Sequence, residues 1–385
     1  MRIGDSRAEM ARLVELLEKV GPNLNEIARI SGQNKETVRY RYREKILKKG
    51  FGLQARPNYE RFGLKRVMIL TDLGGDYLRQ TRQLFTRLNE TAYVASYHRT
   101  LIGGRCVVSA SVPAEFVGEF GEFFRELQKR GMFGDAKMVI LDWFRNMGMN
   151  AEYYDFDEGR WELDWERIRG SGPGSTGYIP SARGEFDYSD LLLLKELQVD
   201  ATRSLTDVAE RLHVNYKRLL RHYERLFQRG LVHGYRTSWI RTRYDPGLDH
   251  FMKSKHRYIG LDILASNLTP AESLALMTDV RKIPFLWAEA GGRHYYAQMV
   301  IPLEYIPEVL QHLRLSVEGI KDRVSFDLDD QDGALAFTIS YQLYDEASRK
   351  WTFNPAKALE EVGRMVPAPT QKAPHDVGQP TMTWE

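Results

Sequence analysis

The side chains best suited to chemistry lie on two short cationic segments with helical periodicity. Residues 34–50 hold seven Lys and Arg against two Asp and Glu, and residues 214–230 hold five against one. Apolar residues recur every three or four positions in both segments, so the charged residues share the opposite face of a helix. Such a helix fits the major groove of DNA, where its first outward residues reach base edges and flanking cations meet phosphates. The sequence predicts double-stranded DNA as a partner, with contacts from Asn34, Lys35, Thr37, Arg39, Tyr40, Arg43, Asn215, Tyr216, Lys217, Arg218, Arg221 and Arg225.

The two cationic faces are not equivalent. Leu220 stands where the first segment has Arg39, so the second face would contact thymine methyl groups and read the sequence less specifically. Polar helix faces are often simply solvated. An architectural or scaffold protein in which only one face contacts DNA is therefore an alternative.

Two glycine-rich turns share the same three residues and form a candidate ligand site. An arginine in such a turn can face an acidic ligand, but it can also form a surface salt bridge, which is the interpretation that we favour. The residues of this candidate site for a small-molecule effector are Gly103, Gly104, Arg105, Gly291, Gly292 and Arg293.

Residues typical of catalysis are few. The sequence has no HExxH pair, nucleophile elbow or paired-carboxylate motif. His98 and His294 do not occupy equivalent positions and are typical of incidental strand residues, and the carboxylates of residues 155–158 fall in a turn. The single Cys106 excludes an internal disulfide framework and a cysteine-rich metal site. We therefore predict no catalytic residue, no metal site, no cofactor and no enzymatic activity.

Composition and charge indicate a folded, multidomain protein. The chain has 385 residues and a net charge of +3, a length that corresponds to two to four domains. It has no apolar run near the ~18 residues of a membrane span, and its N-terminus lacks the apolar core of a secretory signal. We therefore expect a cytoplasmic location and no membrane partner. Residues 1–66 hold 16 Lys and Arg against 8 Asp and Glu, and residues 186–256 hold 13 against 9, which favours polyanion binding by these two segments.

The chain contains one unit repeated twice. Residues 112–116 recur as residues 301–305, and residues 161–164 recur as residues 351–354. The matches keep their order, and their offset grows from 181 near the two cationic segments to 190 near the last match. Small loop insertions after a tandem duplication would produce this pattern.

Each unit has a helical head and a sheet-forming body. The head has three short helices, a tight turn before the third and a small β-wing after it, which is the pattern of a winged helix-turn-helix. The body has the order βαββαβ, the ferredoxin-like plan, followed by an extra hairpin. The predicted fold class is α+β, with two winged helix-turn-helix domains each followed by a ferredoxin-like domain. The predicted domains are head 1 (1–65), body 1 (66–169), a flexible linker (170–185), head 2 (186–255), body 2 (256–362) and a disordered tail (363–385).

These heads resemble those of Lrp/AsnC (feast/famine) transcription regulators. Residues 204–214, Ser-Leu-Thr-Asp-Val-Ala-Glu-Arg-Leu-His-Val, continue through residues 229–232, Arg-Gly-Leu-Val, and carry the resemblance in head 2. Residues 25–32 and 37–41 are similar in head 1, and the bodies resemble the family's RAM domain. The resemblance implies a DNA-binding transcription regulator, typically prokaryotic and more often archaeal, whose bodies serve assembly and ligand sensing.

The sequence departs from that family in two ways. Typical members carry one head and one body and pair through their bodies, whereas this chain has two units. An intramolecular pseudo-dimer and a homodimer of two chains both remain open. The family's acidic turn near its amino-acid site is replaced by the two Gly-Gly-Arg turns, so we do not expect an amino-acid effector. Siroheme decarboxylases also resemble this head-plus-body plan and are enzymes, which makes a similar enzyme the alternative function.

Overall fold

The fold was derived from a computed structural model of the chain. The structure describes residues 3–102, 104–170, 182–238, 258–365 and 382–384. Gly103, residues 171–181 of the predicted linker and residues 366–381 of the predicted tail lie outside the described residues. The architecture is α+β, as predicted. Within the described ranges, no helix combines the length and the apolar character that crossing a membrane requires.

The helices and strands follow the same order in the two units, except that β6 of the first unit has no separate counterpart in the second. Those of the first unit are α1 (Ile3–Val20), α2 (Leu24–Ser31), α3 (Lys35–Tyr40), β1 (Gly52–Pro57), β2 (Leu64–Leu73), α4 (Thr81–Ala92), β3 (Val94–Thr100), β4 (Cys106–Pro113), α5 (Val117–Lys129), β5 (Phe133–Leu141), β6 (Trp143–Asn146), β7 (Tyr154–Asp155), β8 (Arg160–Trp161) and α6 (Trp165–Gly170). Those of the second unit are α7 (Tyr188–Val199), α8 (Leu205–Arg211), α9 (Tyr216–Gln228), β9 (Val232–Ser238), β10 (Tyr258–Ala265), α10 (Pro270–Val280), β11 (Leu286–Gly291), β12 (Tyr295–Pro302), α11 (Ile306–Ser316), β13 (Val324–Ala336), β14 (Tyr344–Asp345), β15 (Lys350–Trp351) and α12 (Pro355–Met365). A short strand, β16 (Met382–Trp384), lies in the segment predicted to be a disordered tail and pairs with β5.

The third helix of head 1 differs from the predicted single α-helix. After α3 the chain continues as a π-helix over Arg41–Leu47, in which the backbone N–H of Lys48 donates to the carbonyl of Arg43 at 2.9 Å. This segment has one residue more before its closing glycine, Gly50, than the matching segment of head 2. The wider hydrogen bonding of a π-helix accommodates that residue without interrupting the helix.

A ten-stranded sheet contains both bodies. Its strand order is β16-β5-β2-β4-β3-β13-β10-β12-β11-β6. In each body the fourth strand lies beside the first, followed by the third and the second, which is the ferredoxin-like order for a βαββαβ unit. The bodies join through the antiparallel pair β3 and β13, so strands of both bodies form one continuous sheet.

The sheet curls until its two ends meet. Strands β5 and β6 lie near opposite ends of the strand order, yet only Asp142 separates them in sequence. Because side chains alternate across a strand, every second residue points away from the helices and into the space between the bodies. A buried apolar cluster fills part of that space with Met68, Leu70, Val107, Val139 and Leu141 of body 1 and Leu264, Ala290 and Tyr296 of body 2.

A two-stranded sheet, with one strand from each head, joins the two heads. Strand β1 of head 1 pairs with β9 of head 2, α1 packs against β9, and α7 packs against β1. The prediction of a β-wing within each head is therefore wrong for the described residues, where the strand after the third helix pairs across heads. The pairing satisfies backbone groups that a lone strand would leave open.

Each of the two hairpins likewise packs against the other unit. The ring of Trp161, on the hairpin of body 1, lies 4.9 Å from the ring of Phe285 in body 2. The ring of Trp351, on the hairpin of body 2, lies 6.0 Å from that of Tyr93 in body 1, and its Nε1 donates to the carbonyl of Phe62 at 2.8 Å. Each unit thus completes the apolar core of the other.

Glu18 connects the two heads near the end of α1. Its Oε1 accepts hydrogen bonds from the backbone N–H of Thr237 at 2.8 Å and of Met149 at 3.2 Å. Burial raises the pKa of Glu18 to about 7, against the opposing effect of these bonds and of Arg56. Because the folded pKa lies above the ordinary value of 4.5, the folded state binds this proton more tightly than the unfolded state. Its contribution to stability is complete below pH 4.5 and is lost as the pH rises towards 7.

We expect Glu18→Gln to remove about 2–3 kcal/mol of the pH-dependent loss in stability. The amide oxygen still accepts the two backbone hydrogen bonds but carries no proton to release. The measurement is the free energy of unfolding at several pH values between about 5 and 8. Glu15→Gln, at an exposed position on the same helix, is the matched control. Equal pH dependence in Glu18→Gln and the wild type would contradict this account.

Candidate functional site

A cavity of about 120 Å³, which we call the central chamber, lies where the heads meet the bodies. It combines aromatic walls with a few polar side chains, as ligand sites do. All four predicted domains contribute, with Gln54, Ala55 and Tyr59 from head 1, Arg66, Met68, Ala95, Ser96, Ser109, Phe144 and Asn146 from body 1, Gln198 and Arg236 from head 2, and Trp287, Ala288, Tyr296, Gln298, Ala336, Phe337 and Thr338 from body 2.

Arg66 is a buried cation in the wall of this chamber. It lies on β2 and points into the space between the bodies, in step with Met68. Its guanidinium carbon lies 3.6 Å from the ring centroid of Phe144, and its Nη1 donates to Ser109 Oγ at 3.1 Å. Burial lowers the pKa of Arg66. No carboxylate of the described residues lies within 4.0 Å of this guanidinium. A buried positive charge without a carboxylate close to it favours binding of an anion.

A second arginine, Arg236, lies on the head 2 side of the chamber. Its guanidinium carbon lies 4.4 Å from the ring centroid of Trp287. Its Nε and Nη2 donate to Gln54 Oε1 at 2.9 and 2.7 Å, and its Nη1 lies 3.4 Å from Asn146 Oδ1. These bonds hold the planar guanidinium against the aromatic wall.

Tyr59 presents a hydroxyl beside Arg66. Its oxygen accepts a hydrogen bond from Gln198 Nε2 at 3.4 Å and interacts with the guanidinium of Arg66, which lies 5.0 Å from the centroid of its ring. Since the oxygen accepts from these donors, its own O–H is available to donate to a ligand.

A buried polar cluster, which we call the seam cluster, lies where the bodies join and comprises His98, Asp262, Asp329 and Tyr296. His98 Nε2 is hydrogen-bonded to Asp262 Oδ2 and lies 3.6 Å from Asp329 Oδ2, and the Tyr296 hydroxyl donates to Asp262 Oδ1 at 2.7 Å. Burial opposes the positive charge on His98, but the carboxylates of Asp262, Asp329 and Asp327 outweigh it and raise the pKa of His98 to about 9. Burial and Asp262 raise the pKa of Tyr296 well above its ordinary value. The hydrogen bonds and opposite charges of the cluster therefore join body 1 to body 2.

Gly260 makes room for this cluster. A Cβ at Gly260 would lie 1.1 Å from Asp329 Oδ1. We expect Gly260→Ala to lower the free energy of unfolding by about 2–4 kcal/mol, because the buried carboxylate must move out of its hydrogen bonds. Chemical denaturation measures this change. Gly319→Ala, where a Cβ meets nothing within 4 Å, is the control, and equal effects of the two substitutions would argue against a crowded seam.

The predicted DNA-contacting residues lie mainly on open surface, and none of them lines the chamber. Asn34 and Asn215 cap their helices by accepting from the backbone N–H of Glu36 at 2.8 Å and Lys217 at 2.9 Å. Arg39 is half-exposed and pairs with Glu36 at 2.8 Å. Arg225 is turned inward, where its Nη2 lies 2.6 Å from Asp190 Oδ2. The remaining residues of the set are exposed, namely Lys35, Thr37, Tyr40, Arg43, Tyr216, Lys217, Arg218 and Arg221.

The two glycine-rich turns do not face the chamber. In the second turn, a Cβ at Gly291 would lie 2.5 Å from the Trp143 ring, and one at Gly292 would lie 2.6 Å from Asp142 Oδ2. These glycines therefore allow β6 to approach β11. In the first turn Gly104 has a φ of +67°, and Arg105, like Arg293, is exposed.

Of the two titratable residues Asp155 and His98, only His98 changes its interpretation. Asp155 accepts from the backbone N–H of residues 157 and 158 at 2.8 and 3.0 Å, as turn chemistry predicts. His98 is not incidental, because it is buried and joins carboxylates of body 2. A polar residue at every second position of an apolar strand, as in Ser96, His98 and Thr100, was the available signal, since both faces of these strands are covered.

Comparison with known proteins gives a likeness of fold. No family model and no curated protein matches the chain. The chain is similar to the crystal structure of the siroheme decarboxylase NirDL, with a TM-score of 0.50 and 10% identity over 92% of this chain and 99% of that one. A structure of that decarboxylase with an iron-uroporphyrin III analogue gives a TM-score of 0.48 and 9% identity, over 86% of this chain and 93% of that one. At such identity the first likeness establishes the fold alone.

This likeness corrects the prediction that the protein is not an enzyme. A structure that matches over 92% of this chain belongs to a decarboxylase, so this fold is one that an enzyme uses. No local sequence motif indicates an enzyme, because the chamber residues are scattered from Gln54 to Thr338. No family model confirms the predicted relationship to Lrp/AsnC regulators, and the likeness to the decarboxylase is one of fold.

Proposed function

We propose that the protein is a siroheme-decarboxylase-like enzyme that binds a carboxylated tetrapyrrole at the central chamber and removes a carboxyl group from it. The observation that carries this proposal is Arg66, a buried cation without a carboxylate partner among the described residues, set among aromatic rings. A carboxylate would neutralise the guanidinium through a charge-assisted hydrogen bond. The rings of Phe144 and Trp287 suit a flat conjugated ligand.

The chamber residues divide the chemistry between them. Arg66 binds one carboxylate side chain and so positions a neighbouring one against the apolar cluster between the bodies. Removal from water favours loss of carbon dioxide, because the transition state disperses the charge of the leaving carboxylate. The carbon–carbon bond breaks, its electron pair delocalises into the conjugated ring, and the Tyr59 O–H delivers the proton that replaces the carboxyl group. Arg66 stabilises the resulting tyrosinate until water returns its proton.

The size of the chamber restricts what enters it. A volume of about 120 Å³ holds small carboxylate side chains, whereas whole ligands of drug size occupy roughly 300–1,000 Å³. We therefore place only the two neighbouring carboxylate side chains of the tetrapyrrole in the chamber, with its ring against the aromatic side chains at the edge.

Titration of the full chain with siroheme, followed by its visible absorbance, tests the binding step. We expect a saturable spectral change with a stoichiometry of one ligand per chamber. Absence of any saturable change would sink the proposed function.

DNA binding is a second candidate function. It is favoured by the exposure of Lys35, Arg43, Lys217 and Arg221 on the third helices of the two heads. We expect the association constant for a mixed-sequence duplex to fall steeply with salt, with a slope of about −0.9 per phosphate contact. Arg43→Ala with Arg221→Ala should reduce this slope by about 2.

Fluorescence anisotropy at several salt concentrations measures this slope. Arg12→Ala, at an exposed position on α1, is the control and should leave it unchanged. An association constant that does not depend on salt, or that is unchanged by the double substitution, would exclude the third helices as the DNA-contacting surface.

The repeated units themselves support a tandem origin and an intramolecular pseudo-dimer. We place the divisions as predicted, with each head a winged helix-turn-helix whose wing strand is shared with the other head. The exchanged strands and hairpins favour pairing within one chain. A monomeric mass by light scattering is the expected result, and an obligate dimer would refute this arrangement.

A further inference from the structure

Body 2 carries polar residues on the face between the bodies where body 1 carries apolar ones. The repeat matches residues 112–116 with residues 301–305, and the strand registers then align β10 with β2 and β13 with β5. Three aligned positions differ in polarity, namely Met68 against Asp262, Val107 against Tyr296 and Leu141 against Asp329. Because body 1 forms the same sheet with apolar residues, the polar residues of body 2 are not a requirement of the fold.

Tyr296 is the residue of these three polar ones that lines the central chamber. Its hydroxyl interacts electrostatically with the guanidinium of Arg66. It also belongs to the apolar cluster against which the proposed function places the carboxylate that leaves. Tyr296 is therefore a neighbour of the reacting group.

The hydrogen bonds behind Tyr296 fix the direction of its O–H. This group donates to Asp262 Oδ1 at 2.7 Å, and Oδ2 of the same carboxylate is hydrogen-bonded to His98 Nε2. Because the pKa of His98 is about 9, its imidazole is positively charged at neutral pH and stabilises Asp262 as a carboxylate. A carboxylate only accepts hydrogen bonds. The hydrogen of Tyr296 is thus held by Asp262, and the oxygen is left to the chamber as an acceptor.

We propose that Tyr296, held in this orientation by Asp262, repels the carboxylate that leaves and so favours its loss. The inference rests on the proposed function. An oxygen that only accepts opposes a carboxylate, whereas the departing carbon dioxide is neutral and is not opposed. The carbon–carbon bond breaks and its electron pair delocalises into the ring, while Tyr296 neither gains nor loses a proton. Asp262 and His98 are positioning residues that act through Tyr296.

Asp262→Asn in the full chain tests this orientation. The amide oxygen still accepts from His98, and the NH₂ group donates to the Tyr296 oxygen, so the tyrosine O–H turns to the ligand and binds its carboxylate. We expect siroheme to bind about threefold more tightly or better, while single-turnover decarboxylation slows by about tenfold or more. Damage to the structure alone would weaken binding and slow the reaction together.

Two further variants complete the test. Asp262→Met introduces the residue that body 1 carries at the aligned position, Met68, and also leaves the Tyr296 O–H without its acceptor. It should change affinity and rate in the same two directions, and it decides the matter if Asp262→Asn does not fold. Asp279→Asn is the matched control, because this carboxylate pairs with Lys282 at 3.1 Å on α10. It should bind and decarboxylate siroheme as the wild type does.

The wild type provides a test without any substitution. A product that has lost one carboxyl group keeps the carboxylate at Arg66 but lacks the opposed one, so it should bind about threefold more tightly than siroheme or better. Weaker binding of this product, or an Asp262→Asn variant whose affinity is unchanged or falls with its rate, would overturn the inference and leave the decarboxylase function in place. A wild type that binds siroheme without decarboxylating it would remove the function and the inference together.

Discussion

Replacing Arg66 with methionine is expected to weaken siroheme binding by about 100-fold or more. The substitution keeps much of the side-chain volume beside Phe144 but removes the cation that receives the ligand's carboxylate. Loss of one partner of a buried, hydrogen-bonded charge pair costs roughly 2–5 kcal/mol, which corresponds to this factor or more. The measurement is the dissociation constant from the absorbance titration.

A neighbouring cation provides the control for Arg66. Lys65 precedes it on β2, but its side chain lies at the surface, where Nζ pairs with Asp142 at 2.8 Å. We expect Lys65→Met to bind siroheme as the wild type does. Equal affinities for Arg66→Met and the wild type would show that Arg66 does not bind the ligand's carboxylate.

Replacing Tyr59 with phenylalanine is expected to separate binding from chemistry. The ring still packs at 5.6 Å from Phe144, so affinity should change by less than about threefold. Turnover should fall by about 10²–10⁴-fold, because the proton that replaces the carboxyl group loses its donor. Single-turnover decarboxylation, measured with saturating enzyme, reports the chemical step directly.

Tyr295→Phe is the control for the loss of a tyrosine hydroxyl. Tyr295 is buried on the helix-covered side of β12, where its hydroxyl lies 3.4 Å from Glu289 Oε2. This variant should decarboxylate at the wild-type rate once its folding is verified. A wild-type rate in Tyr59→Phe would show that another group supplies the proton.

The sequence was sufficient for the α+β class and for the order of elements in each body, because these depend on local periodicity and turn residues. The β-wing was predicted wrongly for a physical reason. A strand after the third helix has the same sequence pattern whether it pairs within its head or, like β1 and β9, with the strand of the other head. Long-range pairing leaves no trace in local pattern.

The central chamber lay beyond sequence reasoning for a related reason. Its two arginines, Arg66 and Arg236, are separated by 170 residues and meet only because the sheet curls and the heads exchange strands. Solvated arginines and buried arginines are identical in sequence, so composition favoured a DNA-binding surface. The polar alternation around His98 on β3 was the one visible hint of a second buried face.

The most direct test of the central claim is the identity of the product. The full-length protein is incubated with siroheme, and the tetrapyrrole is then analysed by mass spectrometry. We predict a product lighter than siroheme by one or more molecules of carbon dioxide, formed by the wild type and by Lys65→Met but not by Arg66→Met. Siroheme recovered unchanged after saturable binding to the wild type would contradict the decarboxylase account.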